Sequence, residues 1–313
     1  MNTIAMVTSN DQKVTSEIHP FTIDAPRGPL FAIEQIPDNP VELCVIMCNS
    51  GMVNRAGPQR LYWAFSNAAC QAGIAVIRVD LSGVGDSLAE TDATHFDTHR
   101  AEDVQVIIDH ALSKWPGAQI VLQGLCAGSR VSFKTAKDNP KVAGILAWST
   151  EIFTASQNMP QSPHEPEDRL SDYDVSDTTS RLRTFLTSTK FLKPSWWRKH
   201  YPGGKGLLDE IIYTAKCMIK AVLPKPKSNE GEFLVAADDY LKKQRKVFFA
   251  FGEYDHRAHV EFRSRFADVP QGELLPQGYS VIETGTHTFS TAQSQNLLFK
   301  QSINWLKHHF LKP

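Results

Sequence analysis

Short apolar runs alternate along the chain with longer stretches of helical periodicity. Six runs rich in β-branched residues predict strands that are buried on both faces, at 42–48, 73–80, 118–124, 142–148, 246–252 and 278–284. Helical stretches fall between or after them, at 59–72, 98–113, 127–137 and 292–310. This alternation predicts a mostly parallel central sheet with helices on both faces.

The strand pattern is interrupted between residues 150 and 243, which we interpret as a helical lid inserted into the core. Residues 151–177 hold seven Asp and Glu against Arg169 alone, whereas residues 181–246 hold 15 Lys and Arg against six Asp and Glu. The prediction is therefore a core over 1–149, a lid over 150–243 and a second core segment over 244–313. The basic lid is either a solvated face or a docking surface for an acidic partner.

Composition excludes several classes of protein. A chain of 313 residues with 42% apolar content can bury a large core. Its 33 basic residues nearly balance 34 acidic ones, so no global field indicates nucleic acid or an anionic membrane as the main partner. The N-terminus lacks the apolar region of a signal peptide and no run reaches membrane-spanning length, so we expect a cytoplasmic protein.

The five cysteines form no CxxC pair and are odd in number, which argues against a disulfide framework or a zinc site. Four of them are expected to be small buried residues: Cys44, Cys48, Cys70 and Cys217. The fifth, Cys126, lies in the stretch GLCAG at 124–128, between an apolar run and a helical one.

A strand, a sharp turn and a helix in this order expose the residue at the turn. Its neighbours two places before and two places after must be small, which Gly124 and Gly128 satisfy. The start of the following helix favours negative charge and would help to hold a thiolate at Cys126.

A thiolate nucleophile needs a base that accepts its proton and a carboxylate that orients the base. His287 follows the last predicted strand, and Asp255 follows the strand before it. Glu253 lies at the end of that same strand and is the alternative acid, but its position relative to the strand favours Asp255. We expect Ser129, inside the turn, to be a helix-start hydroxyl rather than a second nucleophile.

The GLCAG stretch resembles the G-x-S-x-G nucleophile elbow of the α/β-hydrolase superfamily, with Cys126 in the place of the serine. The order nucleophile, acid, base along the chain is also that of the superfamily. DLSGVGDS at 80–87 is similar to the superfamily's loop after the fourth strand, and CNSGM at 48–52 is similar to the loop after the third. The resemblance implies an α/β-hydrolase fold.

The same resemblance implies an oxyanion hole made by the backbone N–H of Ala127 and that of Gly51 or Met52. The loop at 49–60 further resembles a subgroup of exosortase-associated hydrolases. Arg55 and Arg60 of this loop are candidates to bind a phosphate or carboxylate of the substrate, or one of them bridges the loop to the sheet.

Two aromatic residues of the predicted lid, Trp196 and Trp197, either line an acyl pocket or pack within the lid.

The choice of cysteine as the nucleophile points to the substrate class. A thiolate that attacks an ester forms a thioester in an uphill exchange, whereas its attack on another thioester is nearly neutral in free energy. Cysteine therefore suits thioester substrates, and the S-acyl enzyme can pass its acyl group to a second acceptor.

Superfamily members with a G-x-C-x-G elbow include polyhydroxyalkanoate synthases, dienelactone hydrolases and shuttling aminoacyltransferases. The chain resembles the shuttling acyl and aminoacyl transferases best, and a basic lid suits an acidic carrier protein. The prediction is acyl transfer from a thioester donor through an S-acyl intermediate on Cys126, with His287 as base and Asp255 as its orienting acid.

A thioesterase or an ester or lactone hydrolase with the same triad is the alternative. A non-catalytic ligand-binding protein on the same fold is a third interpretation. No metal or cofactor is expected, although the substrate can carry phosphopantetheine or CoA.

Overall fold

The computed structural model describes residues 16–88, 96–150 and 230–311, and within these ranges one sheet organises the chain. Its strands are β1 Ser16–Ile23, β2 Leu30–Pro37, β3 Leu43–Cys48, β4 Ala75–Asp80, β5 Gln119–Leu125, β6 Val142–Trp148, β7 Lys246–Gly252 and β8 Gln277–Ile282. The order across the sheet is β1-β2-β4-β3-β5-β6-β7-β8. All pairs from β4 to β8 are parallel, as predicted, and β1, β2 and β4 pair antiparallel.

Helices cover both faces of this sheet. They are α1 Leu61–Gln71, preceded by a 3-10 turn Pro58–Arg60, α2 Phe96–Lys114, α3 Ala127–Ala136, α4 Glu230–Lys242, α5 His256–Arg265 and α6 Ala292–Phe310. Val104 of α2 and Val131 of α3 belong to the apolar core on one face. Phe65 of α1 and Leu298 of α6 belong to the core on the other.

The direction of the strand order reverses at β3. The chain passes from β3 to β4 on one side, and then returns to place β5 on the other side of β3. In open α/β sheets such a reversal leaves a crevice at the C-terminal ends of the strands, where ligands bind. The loops that follow β3 and β5 therefore meet at the edge where a site is expected.

The six predicted strands agree with the structure to within two residues at each end, because continuous apolar runs are typical of strands buried on both faces. The β1–β2 hairpin and helix α5 were not predicted. Buried and partly buried residues mostly alternate along β2, so its sequence lacks the continuous apolar run that marks the central strands. Cys44, Cys48 and Cys70 are buried, as expected, while Cys217 lies outside the described residues.

The lid predicted over 150–243 lies mostly outside the described residues. Its last part forms α4, where the ring of Tyr240 packs edge-on against Phe133 of α3 with centroids 5.5 Å apart. Tyr240 is fully buried, so α4 packs on the core beside α3. The lid and its basic surface stay predictions.

In the part of the chain that the structure describes, no helix is both long enough and apolar enough to cross a membrane.

Phe249 of β7 provides a test of the core between the sheet and helices α3 and α5. Its ring stacks on Phe133 at 5.9 Å and lies 4.6 Å from the ring of Phe262, between centroids. The substitution Phe249→Ala leaves a cavity there and is expected to lower the free energy of unfolding by about 3–5 kcal/mol in urea titrations. Val260→Ala on the exposed side of α5 is the control, with an expected change below about 0.5 kcal/mol. Equal effects of the two would contradict this packing.

Candidate active site

Cys126 lies on the turn between β5 and α3, in a backbone conformation that few residues other than glycine adopt. Its φ is 55° and its ψ is −117°. This strained turn directs the side chain away from the sheet and leaves it partly exposed, while the residues around it are mostly buried. The geometry agrees with the nucleophile elbow expected from the sequence.

Glycines make this turn possible because other backbone segments lie against it. A Cβ at Gly124 would overlap the backbone of Gly128 and Ser129. A Cβ at Gly128 would lie 2.8 Å from the carbonyl oxygens of Cys48 and Asn49. The second contact joins the start of α3 to the end of β3, so Gly128 brings the two loops of the site together.

Hydrogen bonds fix the turn on both sides. The N–H of Cys126 donates to the carbonyl of Trp148 at 3.0 Å, and the hydroxyl of Ser129 donates to the carbonyl of Gly124 at 2.8 Å. Ser129 is fully buried, so its hydroxyl serves the turn, as predicted, and is not presented to a substrate.

The structure brings Cys126, His287 and Asp255 together. His287 Nδ1 donates to Asp255 Oδ2 at 3.0 Å, which leaves Nε2 as the ring nitrogen that can hydrogen-bond Cys126. The Asp255 side chain is 8% exposed and that of His287 is 34% exposed. Access from solvent therefore leads to the sulfur and the imidazole, while the carboxylate is shielded.

The same contacts set the charge of the imidazole. Burial lowers the pKa of His287, but hydrogen bonds with Asp255 and Cys126 and the charges of both raise it to about 10. The imidazole is consequently protonated at neutral pH when it faces a thiolate. The protonated imidazole of His287, oriented by the carboxylate of Asp255, therefore lies beside the sulfur of Cys126.

A close approach of two loops places His287 beside Asp255. A Cβ at Gly252, at the end of β7, would overlap the carbonyl oxygens of Gly285 and Thr286. The N–H of Tyr254 donates to the carbonyl of Gly285 at 2.8 Å. The loop after β8 is thus fastened to the loop after β7, because both contact positions are glycines.

The structure also distinguishes Asp255 from Glu253. Glu253 accepts a hydrogen bond from the N–H of Thr284 at 2.8 Å. Its carboxylate therefore joins the loops after β7 and β8 rather than orienting the imidazole of His287. Asp255 directly precedes α5 without making a side-chain cap hydrogen bond, and its carboxylate pairs with His287. The sequence preference for Asp255 agrees with this geometry.

The expected oxyanion donors lie in two different elements. Ala127 is the first residue of α3, so its N–H has no acceptor within the helix. Gly51 and Met52 are the two central residues of a turn that the N–H of Val53 closes by donating to the carbonyl of Ser50 at 3.0 Å. Gly51 has a φ of +55°, which favours glycine at this point of the turn.

Asp80, at the end of β4, holds the loop after β3 in place. Its buried carboxylate accepts from the backbone N–H of Arg55 at 2.6 Å and from the N–H of Asp86 at 3.1 Å. A Cβ at Gly85 would overlap this carboxylate. The DLSGVGDS stretch is therefore a structural connection between the loops after β3 and β4.

Arg55 takes the second of its two predicted roles. Its guanidinium pairs with Asp80 and, at 2.7 Å, with Asp86, and it lies 4.3 Å over the ring of Phe31. These ion pairs agree with the predicted bridge from the loop to the sheet, and binding of a substrate anion by Arg55 stays a prediction. Arg60 lies exposed at the start of α1, while Trp196 and Trp197 fall outside the described residues.

Tyr62 of α1 is a site-supporting residue that sequence reasoning missed. Its hydroxyl donates to the carbonyl of Cys48 at 3.0 Å and accepts from the N–H of Leu125 at 3.1 Å. It therefore joins β3 and β5 one residue before each site loop begins. A Cβ at Gly57 would lie 2.7 Å from its ring, so Gly57 of the loop after β3 is a packing position. No local signal in the sequence indicated these contacts.

A second histidine near the site, His259 of α5, is partly buried. Its ring lies 5.5 Å from those of Phe251 and Tyr279, between centroids. Burial lowers the pKa of His259. Across the described ranges, no group of three or more His, Cys, Asp or Glu side chains is arranged to hold a metal ion.

Comparison with known proteins agrees with this architecture. Residues 44–167 match the model of the family described as serine aminopeptidase, S33, a stretch that includes Cys126 and ends before Asp255 and His287. No curated protein matches the chain significantly.

Several solved structures share the fold at low sequence identity. Dienelactone hydrolase from Anabaena variabilis has a TM-score of 0.57 and 9% identity, over 94% of this chain and 99% of its own. An esterase from Pyrococcus furiosus has a TM-score of 0.55 and 13% identity, over 99% of this chain and 97% of its own. Carboxyl esterase 2 from the mycorrhizal fungus Tuber melanosporum has a TM-score of 0.55 and 15% identity, over 96% and 88%. The chain has the α/β-hydrolase fold.

The contact at Gly124 can be tested by Gly124→Ala. The added methyl group forces the start of α3 away from β5, so we expect a loss of stability of about 1–3 kcal/mol together with slower alkylation of Cys126. Urea denaturation and the rate of iodoacetamide labelling measure the two effects. Gly117→Ala is the control, because a Cβ there meets nothing within 4 Å and the cost is limited to its φ of +91°. Normal labelling of Gly124→Ala would contradict the close contact.

The raised pKa of His287 predicts how the reactivity of Cys126 depends on pH. If the protonated imidazole holds Cys126 as a thiolate, alkylation should stay nearly constant between pH 7 and 9, because His287, with its pKa raised to about 10, remains charged there. In His287→Ala the rate should fall about tenfold for each pH unit below the ordinary thiol pKa of about 8.5.

Asp255→Asn should give an intermediate profile, because the amide retains the space but not the charge. Peptide mass spectrometry at Cys126 measures each rate separately from the buried cysteines. Identical profiles for the wild type and His287→Ala would exclude the thiolate–imidazolium pair.

Proposed function

We propose that this protein is an acyl hydrolase that cleaves an ester or thioester through a covalent S-acyl intermediate on Cys126. The observation that carries the proposal is the arrangement of Cys126, His287 and Asp255 at the C-terminal edge of the sheet. Nucleophile, base and orienting acid are the three roles that acyl transfer to a side chain requires.

The reaction follows from the position of the proton. In the proposed ion pair between the Cys126 thiolate and the His287 imidazolium, the proton already lies on His287. The thiolate of Cys126 therefore attacks the carbonyl carbon directly. The oxyanion is stabilised by the N–H of Ala127 together with a donor from the loop after β3. The bond to the leaving oxygen or sulfur then breaks, and His287 gives its proton to the leaving group.

Deacylation reverses these roles. A water molecule loses a proton to His287 as it attacks the carbonyl carbon of the S-acyl group. The sulfur of Cys126 leaves as a thiolate, which restores the ion pair and releases the acid. Apart from water and the substrate, the cycle uses only side chains and backbone N–H groups of the protein, so phosphopantetheine or CoA would enter as part of the substrate.

The comparisons support hydrolysis as the first candidate. The solved structures with the same fold are named as esterases and a dienelactone hydrolase. At 9–15% sequence identity these structures indicate a shared fold but not a shared substrate. The acyl group has to be identified by experiment.

Transfer to a second acceptor is the second candidate, and the cysteine itself favours it. An S-acyl enzyme formed from a thioester keeps most of the free energy of the donor, so passing the acyl group to a thiol, amine or alcohol is accessible. The donor would be an acyl or aminoacyl thioester on a carrier protein or CoA. Docking of an acidic carrier protein on the basic segment at 181–246 belongs to this second candidate.

A ligand-binding protein without catalysis is disfavoured by the same geometry. The imidazole of His287 is held between Cys126 and Asp255, an arrangement that a binding pocket does not need.

Intact-protein mass spectrometry tests the proposal most directly. The protein is mixed briefly with a panel of p-nitrophenyl esters, acyl-CoAs and acyl- or aminoacyl-loaded carrier proteins. We expect an acyl adduct on the wild type, no adduct on Cys126→Ala, and turnover lowered by roughly 10⁴- to 10⁶-fold in that variant. Cys70→Ala, which removes a buried thiol of α1, is the control that should keep the adduct.

The products decide between the two candidates. Accumulation of free acid supports hydrolysis, and movement of the acyl group to a second carrier or amine supports transfer. If no adduct and no turnover appear with any ester or thioester, while Cys126 is alkylated no faster than a free thiol, the enzyme assignment is wrong.

A further inference from the structure

Arg100 of α2 places a buried positive charge against the loop after β3. The residue is 1% exposed. One guanidinium nitrogen donates to the carbonyl of Gly51 at 2.7 Å, and the other lies 3.6 Å from Sδ of Met52. These are the two residues between which the choice of oxyanion donor was left open by the sequence.

The hydrogen bond to Gly51 fixes a whole peptide unit. The peptide that joins Gly51 to Met52 is planar and trans, so its C=O and its N–H point in opposite directions. Once the carbonyl of Gly51 is held by Arg100, the N–H of Met52 points away from the guanidinium. Rotation of this peptide is the motion that the anchor removes.

The remainder of the loop has its own anchors. The amide of Asn49 donates to the carbonyl of Val53 at 3.0 Å and accepts from the N–H of Leu81 at 2.8 Å. The N–H of Val53 closes the turn to Ser50. The peptide between Gly51 and Met52 lies at the centre of this turn, where a glycine with positive φ permits more than one orientation.

Arg100 has a second neighbour that offers another role, the thiol of Cys48. Burial raises the pKa of Cys48 to about 12, although a hydrogen bond from Ser132 and the charge of Arg100 lower it. Cys48 is therefore a neutral thiol, and Arg100 does not serve to activate it. A guanidinium at a position with this little exposure costs desolvation free energy, which an apolar side chain would avoid.

We propose that Arg100 is a positioning residue that orients the Gly51–Met52 peptide, so that the N–H of Met52 joins that of Ala127 as the second oxyanion donor. This inference rests on the proposed function, since it assigns a role in stabilising the tetrahedral intermediate. It resolves the choice between Gly51 and Met52 in favour of Met52.

Three variants address the two halves of the proposal. Arg100→Met removes the hydrogen bond but keeps an unbranched apolar chain, and Arg100→Lys keeps one donor. Met52→Pro removes the N–H itself, at a residue whose φ is negative, as a proline requires. Val53→Ala in the same loop and Glu102→Gln on the same helix are the controls, since neither removes an oxyanion donor or its anchor.

Each variant is tested with two reagents that react at Cys126. Acylation by a p-nitrophenyl ester or an acyl-CoA passes through a tetrahedral oxyanion, whereas alkylation by iodoacetamide is a displacement at carbon without one. We expect Arg100→Met and Met52→Pro to slow acylation by about 10²- to 10³-fold. Alkylation should stay within about threefold of the wild type, and Arg100→Lys should recover part of the acylation rate.

Several outcomes would overturn the inference. Acylation of Arg100→Met within about threefold of the wild type would show that the peptide needs no anchor. A parallel fall of acylation and alkylation would mean that Arg100 supports the fold of the site in general. If Arg100→Met does not fold, Met52→Pro and Arg100→Lys decide by the same ratio. If the wild type itself is acylated by no ester or thioester of the panel and Cys126 is alkylated no faster than a free thiol, the proposed function is wrong and the inference falls with it.

Discussion

Direct contact between backbone segments at Gly128 is the constraint on which the site depends. The first turn of α3 touches the carbonyls of Cys48 and Asn49, so the turn that carries Cys126 and the loop after β3 are held at the distance of two backbones in contact. Any side chain at this position would separate them. The hydroxyl of Tyr62 reinforces the contact from the other side by joining β3 and β5 just below the loops.

A second set of interactions fixes the loops without taking part in the proposed chemistry. The carboxylate of Asp80 accepts hydrogen bonds from the N–H groups of Arg55 and Asp86. Asn49 connects the loop after β3 to the end of β4 by accepting from the N–H of Leu81. The polar side chains of these loops, which in the sequence resemble a substrate-binding set, therefore bind one another. The buried guanidinium of Arg100 completes this support by holding the carbonyl of Gly51.

Close contacts between loops at glycines also position the imidazole of His287. Gly252 and Gly285 allow the loops after β7 and β8 to touch, and Glu253 fastens them by accepting from Thr284. This leaves Asp255 as the carboxylate that faces His287. The raised pKa of His287 is thus a result of where two loops are joined, because it depends on the carboxylate and the thiol on either side of the ring.

The sequence by itself determined the features that are local. Continuous apolar runs predict the central strands because strands buried on both faces have no polar side, and two glycines around Cys126 predict the elbow because they are two residues away from it. The placement of Asp255 and His287 after successive strands was also readable, since parallel strands end at one edge. Only the tertiary structure decided the partners of Arg55, the different roles of Glu253 and Asp255, and the contacts of Tyr62 and Arg100. The hydrogen bonds involved join residues from 14 to 63 positions apart along the chain, and the sequence carries no local sign of which charges and hydroxyls will meet.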